Sequence, residues 1–256
     1  MKSLRTKFLT LAVALVYVFI LTSCSNDNDD NNFETASLAI KTKAITSTNG
    51  QNRNANAMVE VTKFKINIKE IELEFDDDFC DDDDDDDDNN NIFDCALYNG
   101  FYDGDDEIEL RGPFEVDVLT GVNTITTVDV PANVIFEEIE FEFDRNSNPN
   151  SDLFGKTILI EGTIDGLPFI FWHNFEVEFE IDYEDTNQTL DISNGFNSVI
   201  IEFDLAGLFS MVNLSNATDN NNDGLIEISP SDPDGNTVLA NQIKNLIKEY
   251  ADLLDD

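Results

Sequence analysis

LPFIFWHNFEVEFEIDY, residues 167–183, decides the fold class. Leu167, Phe169, Phe171, His173, Phe175, Val177, Phe179, Ile181 and Tyr183 fall on alternate positions, with Glu176, Glu178, Glu180 and Asp182 between the later ones. A period of two sends successive side chains to opposite faces of an extended chain, so this is a strand with one face toward a core and one toward water. Asp165-Gly166 precedes it, and Lys156–Ile164 before that is a second apolar run. Asp-Gly between two such runs predicts a type I′ hairpin, whose two central residues both need positive φ.

The same alternation runs outward through the chain. In Met58–Phe75 the apolar positions are Val59 and Val61, then Phe64, Ile66 and Ile68, then Ile71, Leu73 and Phe75. The phase flips twice, so a long strand here must contain bulges or switch sheets. Further strands are predicted near 35–46, 107–110, 113–119, 123–130, 135–143 and 197–204. Short strands at regular spacing with polar turns give an all-β fold, an antiparallel β-sandwich. Only the chain end departs from this. Leu239, Ile243, Leu246, Ile247, Tyr250, Leu253 and Leu254 recur at helical spacing, predicting a C-terminal amphipathic helix over 237–254 packed on the sandwich. Leu205–Met211 reads as one further helical turn.

The N-terminus carries Lys2, Arg5 and Lys7, an apolar stretch from Phe8 to Leu21, and then Leu21-Thr22-Ser23-Cys24. This is a secretory signal over residues 1–23, too short and wrongly flanked for a stable span. Its last four residues resemble the lipobox of bacterial lipoproteins, which implies cleavage before Cys24 and acylation of that cysteine. The acidic residues 24–33 read as a tether, and their run of Asp and Asn behind Cys24 is similar to the surface-export signal of Bacteroidota lipoproteins. The expected location is the outer membrane, facing outside, with the lipid as the membrane contact. Residues 34–256 form the folded domain.

The formal charge is −40, and losing residues 1–23 removes three cations and no acids, taking it to −43. Such a surface repels nucleic acid, which is excluded as a partner. Twenty Phe residues exclude a wholly disordered acidic chain. Of three cysteines, Cys24 is assigned to lipid, leaving Cys80 and Cys95 to pair in an oxidising compartment. They bracket the eight aspartates 81–88 within an acidic insertion, 76–95. Two readings of the run stand: a solvated loop clipped at its base, or a diffuse trap for cations.

The best site candidate is Asp219 to Ile228, which follows the D-x-[DN]-x-[DN]-G-x-I opening of a calcium loop. Asp219, Asn221 and Asp223 supply hard oxygen ligands, the Leu225 carbonyl a further one, and Gly224 the sharp turn. The twelfth position, where a bidentate Glu belongs, is Pro230, so Asp232, Asp234 or water would have to close the sphere. Calcium would then be structural and weakly held. The alternative is an Asx-rich turn that binds nothing tightly.

Enzyme templates find no support: no nucleophile elbow, paired metal-binding histidines or phosphate loop is present. The lone histidine, His173, lies in apolar phase and reads as a buried, hydrogen-bonded core residue. Trp172, in the opposite phase, reads as covered by a loop or a second layer or, alternatively, as part of a ligand-binding aromatic patch.

Lys63–Ile71, Leu110–Leu119, Val128–Pro131 with Phe136–Phe141, and the segment from Phe209 to the last helix together resemble a family of uncharacterised Bacteroidota β-sandwich lipoproteins, related to transthyretin-like and immunoglobulin-like sandwiches. The resemblance implies fold and location and supplies no catalytic residues. The expectation is a non-enzymatic binding or structural module at the cell surface, partnered by a surface glycan or protein. A cation-buffering protein and, last, a glycan-active accessory hydrolase are the alternatives.

Overall fold

The computed structural model describes residues 35–46, 51–53, 57–75, 107–183, 190–193 and 195–255. Cys24, the tether, the poly-Asp run, Cys80 and Cys95 lie outside the described residues.

β3 (Met58–Phe75) organises the larger of two sheets. Along one edge it pairs with β2 (Gln51–Arg53) and β4 (Glu107–Asp117), along the other with β7 (Ile158–Ile164) and then β6 (Val134–Phe143). Its two phase flips are β-bulges: the register slips between Val61 and Lys63 and between Ile68 and Glu70, and the strand stays in one sheet. Each bulge pushes backbone toward a neighbouring strand where only glycine fits. A Cβ on Gly162 would stand 1.9 Å from the Glu60 carbonyl oxygen, and one on Gly112 would stand 2.7 Å from those of Ile68 and Lys69. The two expected strands at 107–110 and 113–119 are thus one strand, β4, crossing the second bulge through Gly112.

β8 (Leu167–His173) returns along β7 after the predicted hairpin, with Asp165 at φ 50° and Gly166 at φ 85°. β9 (Val177–Asp182) then continues along β6. The opening stretch is therefore two collinear strands interrupted at 174–176, and its apolar phase survives the break: Phe169, Phe171, His173, Phe175, Phe179 and Tyr183 are all buried. Leu167, at the hairpin mouth, is exposed. Two short strands that the pattern did not reveal complete the sheet: β10 (Leu190–Ile192) on β6, and β12 (Ile226–Ile228) parallel to β8.

The second sheet has the order β13 (Ala251–Asp255), β11 (Phe196–Asp204), β1 (Thr35–Ile45), β5 (Asn123–Pro131). β1 lies parallel to β11 and antiparallel to β5. Both sheets are predominantly antiparallel, with these two parallel pairings. Phe203 of β11 locks the layers together, meeting Phe64 edge-on at 5.4 Å and Phe143 at 6.4 Å. Burying each such ring contributes about 1.5–3 kcal/mol.

α1 (Leu205–Met211) follows β11, capped by Asp204, whose carboxylate accepts from the Gly207 N–H at 2.8 Å. α2 (Thr237–Ile247) buries Leu239, Ala240, Ile243 and Ile247. The expected helix to residue 254 is too long. After a short 3₁₀ turn, β13 (Ala251–Asp255) pairs with β11, placing Leu253 opposite Ile201 and Leu254 opposite Ile200. Propensity and spacing favoured another helical turn, but the open edge of β11 offers a full ladder of backbone hydrogen bonds.

Candidate functional site

The Asp/Asn loop sits at the entry to β12, and its side chains fold its own backbone. Asp219 accepts from the Asp223 and Gly224 N–H groups at 3.2 and 2.9 Å. Asn221 Oδ1 accepts from Asp223 N–H at 2.8 Å, and Asp223 from Leu225 N–H at 2.9 Å. Asn222 at φ 61° and Gly224 at φ 89° make the tight reversals. Ile226, 3 % exposed, anchors the exit in the core.

The structure separates the two closing candidates. Asp234 is fully buried, and its carboxylate accepts from Asn221 N–H at 3.2 Å and from Glu227 N–H at 2.9 Å, clasping both arms of the loop. Asp232 is engaged elsewhere: its oxygens accept from Asn236 N–H and the Thr237 hydroxyl at the start of α2. Two residues were missed from sequence. Asn236, buried, donates to the Thr218 and Glu227 carbonyls at 2.8 and 2.7 Å and accepts from Thr218 N–H at 3.1 Å, stapling the loop ends to α2. Glu227 is held above the usual carboxylate range by burial and then by the charges of Asp234, Asp223 and Asp232. Its place as ninth residue of the loop, a position that often contributes through water, was the available signal.

These are hard oxygen donors suited to calcium rather than to a soft metal. Among the described residues no three His, Cys, Asp or Glu side chains converge as a metal-holding group. An ion here would therefore rely on the Asn221 amide, the Leu225 carbonyl and water beside the aspartates.

Trp172 is half-buried on the outer face of β8, opposite Leu159, which is 1 % exposed. The loop 144–157 crosses the outer side of this sheet and is pinned there by polar contacts. Buried Asn146 donates to Asn67 at 2.9 Å and to Glu115 at 3.3 Å. Asp152 receives Lys63 at 3.1 Å and Lys65 at 3.2 Å, and these two ammonium groups hold its carboxyl down at about 2.

The outer face of β4-β3-β6-β9 carries acids in register. One row reads Glu109, Glu72, Glu140, Glu180 across four strands, and the next reads Arg111, Glu70, Glu142, Glu178. Lys69 pairs with Glu142, and Arg111 with Glu109 and Glu70. Glu72 and Glu140 are pushed above the ordinary carboxylate range, first by burial and then by neighbouring glutamates.

His173 is buried as expected but not hydrogen-bonded: neither ring nitrogen has a partner. Between the sheets, Phe141, Phe143, Phe179, Ile181 and Ile201 help line a cavity of about 60 Å³. Among the described residues no helix is long and apolar enough to cross a membrane.

Compared with protein-family models, with curated proteins and with solved structures, the chain matches none.

Proposed function

We propose that this chain is a non-enzymatic binding or structural module, anchored to the outer membrane through an acylated Cys24 and exposed at the cell surface, with a structural calcium ion in the loop 219–225. The observation that carries the calcium reading is the preorganised loop. Asp219, Asn221 and Asp223 are already turned inward on the backbone, and buried Asp234 holds the two arms together. The ion would brace β12, held to β8 by a pairing of only three residues, against α2. The N-terminal signal, the lipobox-like residues and the acidic tether support the anchor, and the resemblance to Bacteroidota sandwich lipoproteins supports the same location. Its partner would be a cell-surface glycan or protein.

The topology adds an orientation. The chain enters β1 at Thr35, beside Pro131 at the end of β5, whereas Met58, the Asp165-Gly166 hairpin and the entry to β12 lie at the opposite pole. Thr35, where the described part of the domain begins, thus lies at the pole farther from the loop.

Calorimetric titration of the full chain with calcium tests the site. The expected result is one ion with a dissociation constant on the order of a millimolar. At about 10 mM calcium that affinity adds about 1.4 kcal/mol of stability. Binding should vanish in Asp219→Asn with Asp223→Asn. Absence of heat and of a melting shift would overturn the calcium reading, and many weakly bound ions lost on deleting residues 81–88 would replace it with cation buffering. Palmitate labelling abolished by Cys24→Ser tests the anchor.

A further inference from the structure

His173 is the chain's one histidine, and neither of its ring nitrogens completes a hydrogen bond. It ends β8 on the inward face, 7 % exposed. The Phe175 ring lies 5.3 Å away. α2 packs against β8; from it the Lys244 charge disfavours a cation at the ring, and the Asn241 amide favours the charged ring without completing a hydrogen bond to either nitrogen. Its cross-strand neighbour on β7 is Ile158, which carries no charge. Buried polar groups normally find partners, so an orphan imidazole under a helix calls for an explanation.

We infer that His173 is an acid-sensitive latch for α2: neutral, it lets the helix seat on β8, and protonated, it drives Lys244 and the helix outward. An imidazolium in this place is a second cation beside Lys244, with only the Asn241 amide near it to offset the charge. Something must move, and β8 is the stiffer partner. It is tied to β7 by a continuous ladder from Leu167 to His173. α2 is seated by four buried apolar side chains, Leu239, Ala240, Ile243 and Ile247, while Asn241 is exposed and Lys244 half-exposed at its rim. Lifting that rim admits water to the ring and separates the charges. Burial first, and Lys244 second, depress the ring's affinity for a proton. The closed state is therefore favoured above the free imidazole value of 6.5, and the advantage is lost as pH falls from there toward the depressed folded value.

Hydrogen exchange on the full chain, corrected for the intrinsic pH dependence of exchange, tests the latch. The opening constant of amides 237–247 should rise by up to about tenfold per pH unit below about 6.5, with β3 amides unchanged. In His173→Phe this dependence should disappear, and in Lys244→Gln it should level off at a higher pH, because without Lys244 the closed-state ring is less depressed. Because there is one histidine, its ring resonances titrate alone in the unaltered protein. This covers the case in which His173→Phe does not fold. A ring that titrates at or above 6.5, α2 exchange that is flat from pH 7.5 to 5, or pH dependence surviving in His173→Phe would each overturn the inference.

Discussion

Glu140→Gln should stabilise the protein, although it removes a charged group from a half-buried site. Glu140 stands directly across from Glu72 on one side and Glu180 on the other. Directly opposed side chains have Cβ atoms about 5 Å apart, and like charges there are unfavourable. With the carboxylates splayed to about 6 Å and an effective dielectric of about 40–80, each pair costs about 0.7–1.4 kcal/mol before screening. A Debye length of about 8 Å at physiological salt roughly halves this. Two pairs then sum to about 1 kcal/mol, and glutamine preserves the shape. For a domain of this size the melting midpoint should rise by about 2–4 °C.

The pH dependence supplies the sign test. Glu140 is pushed upward in the folded state by burial and then by Glu178, Glu180, Glu142 and Glu107. A carboxyl with a raised folded value favours folding when protonated, and that contribution is lost as pH rises through the raised value. The gap between Glu140→Gln and the unaltered protein should therefore be small near pH 4 and open toward neutrality. Urea melts at pH 4 and pH 7, each in low and high sodium chloride, measure it. A variant that is neutral or less stable at pH 7 in low salt, or whose gain ignores both pH and salt, refutes the reasoning.

Three further outcomes follow from the geometry. Gly162→Ala should cost at least about 2 kcal/mol in denaturant melts, since its Cβ would collide with the Glu60 carbonyl oxygen at the first β3 bulge. Asp234→Ala strands the Asn221 and Glu227 N–H groups and should cost about 2–4 kcal/mol, with Asp234→Asn keeping part of it. Asp152 titrates at about 2 when folded, held down by Lys63 and Lys65. Its stabilising contribution is complete above the free value of 3.8 and is lost as pH falls through about 2. An acid-unfolding profile should lose that component in Asp152→Asn.

What the sequence revealed was what depends on side-chain period. The flips after Val61 and Ile68 became bulges at those positions, and Asp165-Gly166 became the hairpin, because a period of two and a positive φ are local properties. The failures share a different origin. β12 has three residues and β13 five, too short for a period to develop, and both form by pairing with a partner that sequence does not name. Leu253 and Leu254 fit a helical pattern until the edge of β11 is in place. The acidic rows were visible as alternating glutamates on each strand, yet their alignment across strands depends on the register set by the bulges. In the loop, Asp219, Asn221 and Asp223 were legible from spacing. Asp234 emerged over Asp232 only through burial, and Asn236 carried no motif at all.

The acidic rows and the loop are both cation-sensitive, but for different physical reasons, and a single comparison separates them. The rows act through Coulomb repulsion between carboxylates aligned across the strands, so any salt that shortens the Debye length relieves them. The loop acts through coordination by fixed oxygens, so under the proposed function it responds to calcium beyond what ionic strength accounts for. Melting in sodium chloride should raise the midpoint gradually, and Glu140→Gln should flatten that rise. Calcium chloride at matched ionic strength should add a further, saturable increment, which Asp223→Asn removes while leaving the sodium response intact. If Asp223→Asn leaves the calcium increment in place, the ion is not in the loop, and residues 81–88 become the place to look for it.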